Sequence, residues 1–240
     1  MSESAEFPPR EPGETMATYA TRALRTAILE GRLAAGARIG QEWVAEALGV
    51  SRIPVRDALR NLESEGLVRL SPNVSARVAD MDLQEFVEVY LMRERLEPLA
   101  IEHSAVNLTD ADIAELEEHC REFEQAVMPE HGSRDLERAL SSDRAFHLAS
   151  IKAAGMPRLQ RLVQDFWNSS QHFRRAYMGV ATPIDREVVI AEHNLLIDAL
   201  RHRDGERAGT LLRQHIRYTR VALIRHLSAT GQPQEPSSDD

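Results

Sequence analysis

The chain has 240 residues, 42% of them hydrophobic and 28% charged, with 12 glycines and 11 prolines, which excludes a disordered or fibrous chain and leaves room for one large domain or two small ones. Its single cysteine, Cys120, excludes an internal disulfide and thiolate zinc or iron–sulfur sites; no apolar run approaches the roughly 20 residues of a membrane helix and the acidic start is no signal peptide, so a cytoplasmic protein without a membrane partner is expected. The formal charge of −9 (29 − 38) speaks against a polyanionic ligand only until it is divided: residues 1–16 hold one Arg against four Glu (−3), residues 17–80 nine Arg against seven acids (+2), and the remainder −8.

Residues 1–16 mix Pro, Glu and Ser without periodicity and read as a disordered tail. Leu24, Ile28 and Leu29 then line one face of a first helix closed by Gly31. A short second helix is expected over Gln41–Leu48, a turn at Gly49-Val50, and a third helix to residue 64, with Ser51 as N-cap, Pro54 in the first turn and Gly66 as stop. Two Val- and Leu-rich stretches, 67–70 and 76–79, form a small hairpin. Beyond it no strand is expected: helices are predicted over 82–105, 109–127, 133–154, 157–178, 183–203 and 205–227, before a second disordered tail at 228–240. The fold class is mainly α, an N-terminal winged helix-turn-helix (17–80) with a small β-hairpin, followed by an all-α antiparallel bundle of six helices (81–227).

On the wheel of the third helix, Val55, Ala58, Leu59 and Leu62 form the buried stripe, and Arg52, Arg56 and Arg60 share one exposed flank beside it. Three guanidiniums on the helix that enters the major groove could read guanine edges or clamp phosphates; the same spacing also describes an ordinary solvated basic face. Among nine histidines, His103, His119, His131, His202 and His226 read as surface residues. Asp143 and His147, four apart on one helix, project from one face, and His193 and His215 lie equally far from the Asp204-Gly205 turn on facing helices. An Asp and three His entering a bundle core suit a divalent transition metal with room for water or an anion, or else separately hydrogen-bonded core histidines. A metal-dependent hydrolase or oxygenase would use the same ligand types, but no His-Glu-x-x-His segment is present and such an enzyme would leave the N-terminal module unexplained.

The run Ile28-Leu29-Glu30-Gly31-Arg32-Leu33, then Leu48-Gly49-Val50-Ser51-Arg52-Ile53-Pro54-Val55-Arg56-Asp57-Ala58-Leu59, then Glu65-Gly66-Leu67-Val68, closely resembles the N-terminal domain of GntR-family transcription regulators. That resemblance implies binding to double-stranded operator DNA as a homodimer, with Ser51, Arg52 and Arg56 at the duplex. Two positions depart from the pattern: Glu42 stands where members usually carry Arg, and Pro72-Asn73-Val74-Ser75 replaces a Pro-x-Arg-Gly wing tip, for which Arg77 is the expected substitute. Asp143-x-x-x-His147, Glu192-His193 and His215, with Arg93-Glu94-Arg95-Leu96-Glu97, likewise resemble the FCD ligand domain of the FadR subfamily. This implies a metal held by Asp143, His147, His193 and His215, zinc first with nickel, manganese or iron as alternatives, and a small carboxylate effector for which Arg93 is the candidate partner. Gly155-Met156 departs from that domain's usual Gly-Asn. The expected function is a ligand-responsive repressor rather than an enzyme, with direct sensing of the metal as the variant reading.

Overall fold

Thr15 accepts a hydrogen bond from Thr18 N and so opens α1 (Met16–Leu29), which buries Ala20, Leu24 and Ala27. The computed structural model describes residues 7–71, 75–80 and 82–230. Helix α2 (Gln41–Leu48) ends at Gly49, whose φ of 64° gives the left-handed turn that side chains other than glycine resist. Helix α3 (Arg52–Ser64) buries Val55, Ala58, Leu59 and Leu62, the stripe expected from the wheel. The hairpin is β2 (Val68–Ser71) with β3 (Ser75–Val78), and a strand the sequence does not announce, β1 (Arg38–Ile39), pairs with β3 to complete an antiparallel sheet ordered β1-β3-β2. Two residues are too few to show an alternation. Ile39, Val68, Ala76 and Val78 face the core. The wing-tip residues 72–74 lie outside the described residues.

From Phe7 onward the N-terminal stretch corrects the expectation of a tail over residues 1–16, of which residues 1–6 lie outside the described residues. The Phe7 ring lies 5.8 Å from that of Trp43, Arg22 donates to both carboxylate oxygens of Glu14 at 2.9 Å, and it also reaches the carbonyl of Pro9. The Arg22 guanidinium holds the Glu14 carboxyl at about 2, well below its ordinary value. One aromatic anchor and one bidentate ion pair order a segment whose composition alone argues against order. At the other end α10 continues to Thr230, and residues 231–240 lie outside the described residues.

The chain forms two compact units, one of residues up to Val89 with Met156–Arg174, the other of Tyr90–Gly155 with Arg175 onward. Helix α7 (Pro157–Ser169) lies in the compact unit that also holds the helix-turn-helix. Asn168 Nδ2 donates to the carbonyl of Glu65 at 2.6 Å, and Asp165 packs over Gly66. The single helix expected over 157–178 is two, α7 and α8 (Gln171–Val180). At the break the Ser169 and Ser170 hydroxyls donate back to the carbonyls of Asp165 and Phe166 at 3.0 and 2.6 Å, the local competition that bends helices.

The second unit holds α5 (Asp110–Val127), α6 (Leu136–Ser150), α9 (Pro183–Arg201), α10 (Gly205–Thr230) and most of α4 (Leu83–Ala105). Thr109 with Asp112 and Thr182 with Asp185 form reciprocal capping boxes; α6 is capped by Asp135 rather than starting at Ser133. Pro98 lies inside α4 and cannot donate to the carbonyl of Glu94, which instead accepts from Arg213 Nε at 3.2 Å. Among the described residues no helix is long and apolar enough to cross a membrane.

Gly205 and Gly209 bring α10 against α4. A Cβ at Gly205 would stand 2.6 Å from the carbonyl oxygen of Glu102, and one at Gly209 would strike the Glu102 side chain. Gly205→Ala is therefore expected to destabilise the fold by roughly 1–3 kcal/mol, because a backbone atom cannot step aside as a side chain can. Urea unfolding of this variant beside Gly209→Ala checks it, with the loss larger at position 205.

Candidate functional site

Ser51, Arg52, Arg56 and Arg60 are all exposed. Ser51 occupies the N-cap of α3 but makes no capping hydrogen bond, which departs from its expected role. A capping hydroxyl accepts from the second or third helical N–H, and the third helical residue, Pro54, has none, which removes one of the two donors. The hydroxyl is thereby left for an outside partner at the N-terminal end of the helix. Arg52 is paired with the exposed carboxylate of Glu42 on α2. Ile53 is 65% exposed on the same first turn. Arg77 is exposed on the outer face of the sheet and donates to the carbonyl of Gly36 at 2.9 Å. Its cross-strand partners are Arg38 and Arg69, giving three arginines side by side on three strands. Like charges directly opposite one another destabilise a sheet unless an anion meets them; Glu85 Oε2, 3.3 Å from Arg69 Nη2, already meets one of the three. Arg38 and Arg69 are absent from the sequence-based candidates because only the register aligns them with Arg77.

The metal-ligating candidates converge. Asp143 and His147 on α6, His193 on α9 and His215 on α10 are all buried, and one potential ligand atom from each lies within 4.8 Å of the others. Asp143 Oδ1 is 3.8 Å from His147 Nε2 and 3.6 Å from His193 Nε2, and His147 Nε2 is 3.1 Å from His215 Nε2. Ligands about 2.1 Å from one ion stand ~3.0–3.4 Å apart in octahedral or tetrahedral geometry, so these separations suit a metal with little adjustment.

The surroundings favour neutral imidazoles. His193 is fully buried, and among the described residues neither ring nitrogen has a hydrogen-bond partner. Burial, with His215 beside it, holds His193 well below the usual imidazole range, so near neutral pH it carries a lone pair and no charge. The Phe146 ring stacks on it at 4.3 Å and that of Phe123 lies at 5.3 Å. Glu192 Oε2 lies 2.7 Å from His215 Nδ1; a proton held there makes Nε2, the nitrogen aimed at the cluster, the free ligand atom. Glu192 is a neighbour the sequence does not single out for this role, since its approach to His215 depends on the register of α9 against α10. A buried Asp and three imidazoles, one without any hydrogen-bond partner among the described residues, is a donor set able to hold a divalent ion.

Arg93 on α4 is 2% exposed, its Nε donates to Glu97 Oε1 at 2.5 Å, its guanidinium lies 4.6 Å from the centre of the Tyr90 ring, and it feels the charge of Asp143. Of the histidines set aside, His103, His131 and His202 are exposed, and His119 stands between Glu115 and Glu122.

Residues 17–78 match the family described as bacterial regulatory proteins, gntR family, and residues 88–218 match the FCD domain. The chain belongs to the GntR family of transcription regulators. This regulator is 31% identical over 176 residues to the HTH-type transcriptional regulator McbR of Escherichia coli, covering 73% of this chain and 78% of that protein. It is 30% identical over 191 residues to a Paenarthrobacter nicotinovorans protein named "Probable D-xylose utilization operon transcriptional repressor", covering 79% and 80%. The solved structure of E. coli McbR/YncC superposes with a TM-score of 0.77 at 26% identity over 89% of this chain and 99% of that one. The regulator is thus mainly helical, with a DNA-binding winged helix-turn-helix followed by an FCD domain, and its relatives are named as transcriptional regulators rather than enzymes.

Proposed function

We propose that this regulator is a cytoplasmic, dimeric, ligand-responsive repressor whose C-terminal domain, 81–227, binds a divalent metal and a small organic acid. The observation that carries the reading is the buried cluster of Asp143, His147, His193 and His215 in a protein that also bears a DNA-binding head. Zinc is the first choice, since imidazole and carboxylate suit it in a tetrahedral site, with nickel, manganese or iron accommodated by the same ligands. When bound, the ion supplies a Lewis-acidic seat for a carboxylate oxygen. Arg93 offers a guanidinium to the same acid, and Glu192 keeps His215 in the ligating tautomer. Ser51, Arg52, Arg56 and Arg60 meet the operator, with Arg77 giving phosphate contact. The repressor sense is supported by the naming of the Paenarthrobacter relative. Dimerisation is supported by Leu91 and Leu99 of α4, both at least 40% exposed and two helical turns apart.

Two heads joined through their bundles bind two half-sites with the affinity of both. An effector releases the operator if it prefers the conformation in which the heads misalign. A coupling of roughly 1–3 kcal/mol changes operator affinity ~5- to 150-fold. Titrating operator binding with metal alone, and then with metal plus a panel of small carboxylic acids, tests this. Release by an acid only in the metal-loaded protein is the expected outcome; release by metal alone makes the ion the effector, and no response to either refutes the reading.

The Glu42–Arg52 pair sets a second expectation. A carboxylate on a surface facing phosphates repels them and occupies an arginine that would otherwise contact DNA. Glu42→Gln is expected to raise affinity for duplex DNA by roughly 5-fold at low salt, as removal of about 1 kcal/mol of exposed-charge repulsion implies, with the gain shrinking as salt rises. Fluorescence anisotropy across a salt series measures both.

A further inference from the structure

Ile53 leaves 65% of its surface in solvent on the first turn of α3. Among the described residues of α1, α2, α3 and the sheet, the exposed large hydrophobic side chains are Met16 and Ile53, and the Met16 sulfur accepts from Arg10 Nη1 at 3.4 Å. A protein-docking face takes a contiguous apolar patch on the order of several hundred Å², which a single side chain cannot supply. Ile53 is instead the size of a contact to one small apolar group. Its branched Cβ makes χ1 stiff, so it loses little rotamer freedom when it meets that group.

Its neighbours on the helix are suited to a base-pair edge. Ile53, Arg56 and Arg60 stand at i, i+3 and i+7, which places them on one face of α3, and Arg56 and Arg60 are exposed there. Arg52, on the same turn, is engaged by Glu42. The N-terminal residues of a recognition helix are the ones that reach base edges. In the major groove those edges offer donors and acceptors and one apolar group, the C5 methyl of thymine. Three residues of helix rise about 4.5 Å, close to the ~3.4 Å between successive base pairs, so positions 53 and 56 address neighbouring base pairs.

We propose that Ile53 is a specificity-determining residue that packs on the C5 methyl of a thymine, at the base pair next to the one whose edge Arg56 reads. The inference rests on α3 being the reading helix and goes beyond it by naming the base and the group recognised. Ile53 offers no hydrogen bond, so it selects by shape and desolvation. Cytosine at the same place lacks the methyl and sets its N4 amino group against a side chain with no acceptor, leaving a desolvated donor unpaired.

The test uses the full-length protein and a duplex that it enriches from a randomised library. Each thymine in turn is replaced by deoxyuridine, which lacks only the C5 methyl, and affinity is read by fluorescence anisotropy. At one thymine in each half-site the replacement is expected to weaken binding roughly fourfold, as uncovering one methyl implies, and roughly 15-fold with both half-sites changed. 5-Methylcytosine there is expected to bind more tightly than cytosine by a similar ratio. Ile53→Ala is too short to reach the methyl and is benign at an exposed helix position. It is expected to bind the thymine and deoxyuridine duplexes within about twofold of one another, while still preferring the enriched site to a scrambled duplex, which separates it from Arg56→Ala. A site whose every thymine tolerates deoxyuridine, or an Ile53→Ala protein that keeps the wild-type sensitivity to the methyl, overturns the assignment of Ile53 and leaves α3 as the reading helix. A protein that enriches no duplex overturns both. An Ile53→Ala protein with altered oligomeric mass and unaltered DNA binding would show that the side chain packs against another chain instead, which also overturns it.

Discussion

Arg56→Ala eliminates specific operator binding while leaving helix content and metal uptake unchanged. Arg56 is exposed at the middle of the basic flank of α3, between Arg52, which is tied to Glu42, and Arg60. It is therefore the guanidinium on the first two turns best placed to spend its donors on a base edge. One bidentate arginine contact is worth about 1–3 kcal/mol of base discrimination. In a symmetric dimer the loss counts twice, roughly 2–6 kcal/mol, or between ~30-fold and ~10⁴-fold in affinity for the specific site. Alanine is the better helix former and the position is solvated, so stability is unaffected or slightly raised. Anisotropy with operator and scrambled duplexes distinguishes this from a phosphate contact, whose removal weakens both duplexes alike. A variant that retains operator preference would show that another element reads the sequence.

Removing one ligand from the Asp/His cluster is expected to lower metal affinity by at least ~100-fold, since even changes to residues that only hydrogen-bond the ligands cost about 10- to 100-fold. His193→Ala also leaves a space beneath Phe146, which stacks on it, so Asp143→Asn, nearly the same shape, is the cleaner variant. Metal present at 100 times its dissociation constant stabilises the native state by about 2.7 kcal/mol. Chelator should therefore lower the melting temperature of the wild type and leave both variants where they are. Acid acts in the same direction. His193 sits below its ordinary value of 6.5 in the folded state, so under pH 6.5 the unfolded chain binds the extra proton, and stability is lost as pH falls through that value. Protons also compete with the ion for its ligands, so metal affinity declines over the same window. Metal-free purified protein with a melting temperature indifferent to chelator would mark the cluster as an ordinary hydrogen-bonded core.

Helix-forming periodicity located most of the architecture in advance. The apolar spacing of Val55, Ala58, Leu59 and Leu62 marks the face α3 buries, and Thr109 and Thr182 announce helix starts because capping is a local interaction. Where the reading slipped, a longer-range contact or a competing local bond intervened. Serine hydroxyls at 169 and 170 split an apparently single helix, and Pro54 removed one of the two N–H groups that Ser51 could have capped. Phe7 and Arg22 ordered a segment that composition assigns to a tail. The two residues of β1 form a strand only because β3 is beside them.

What this sequence by itself determined is the set of chemical parts and their spacing along each helix: an arginine flank on α3, Asp143 and His147 one turn apart on α6, and a histidine on each of the last two long helices. The tertiary structure alone decided which of those parts meet. The approach of His147 Nε2 to His215 Nε2, the Glu192 carboxylate on His215 and the Arg38–Arg77–Arg69 row all join residues from different elements. Periodicity states which side of a helix is apolar, but helix rotation and strand register are fixed by packing many side chains at once.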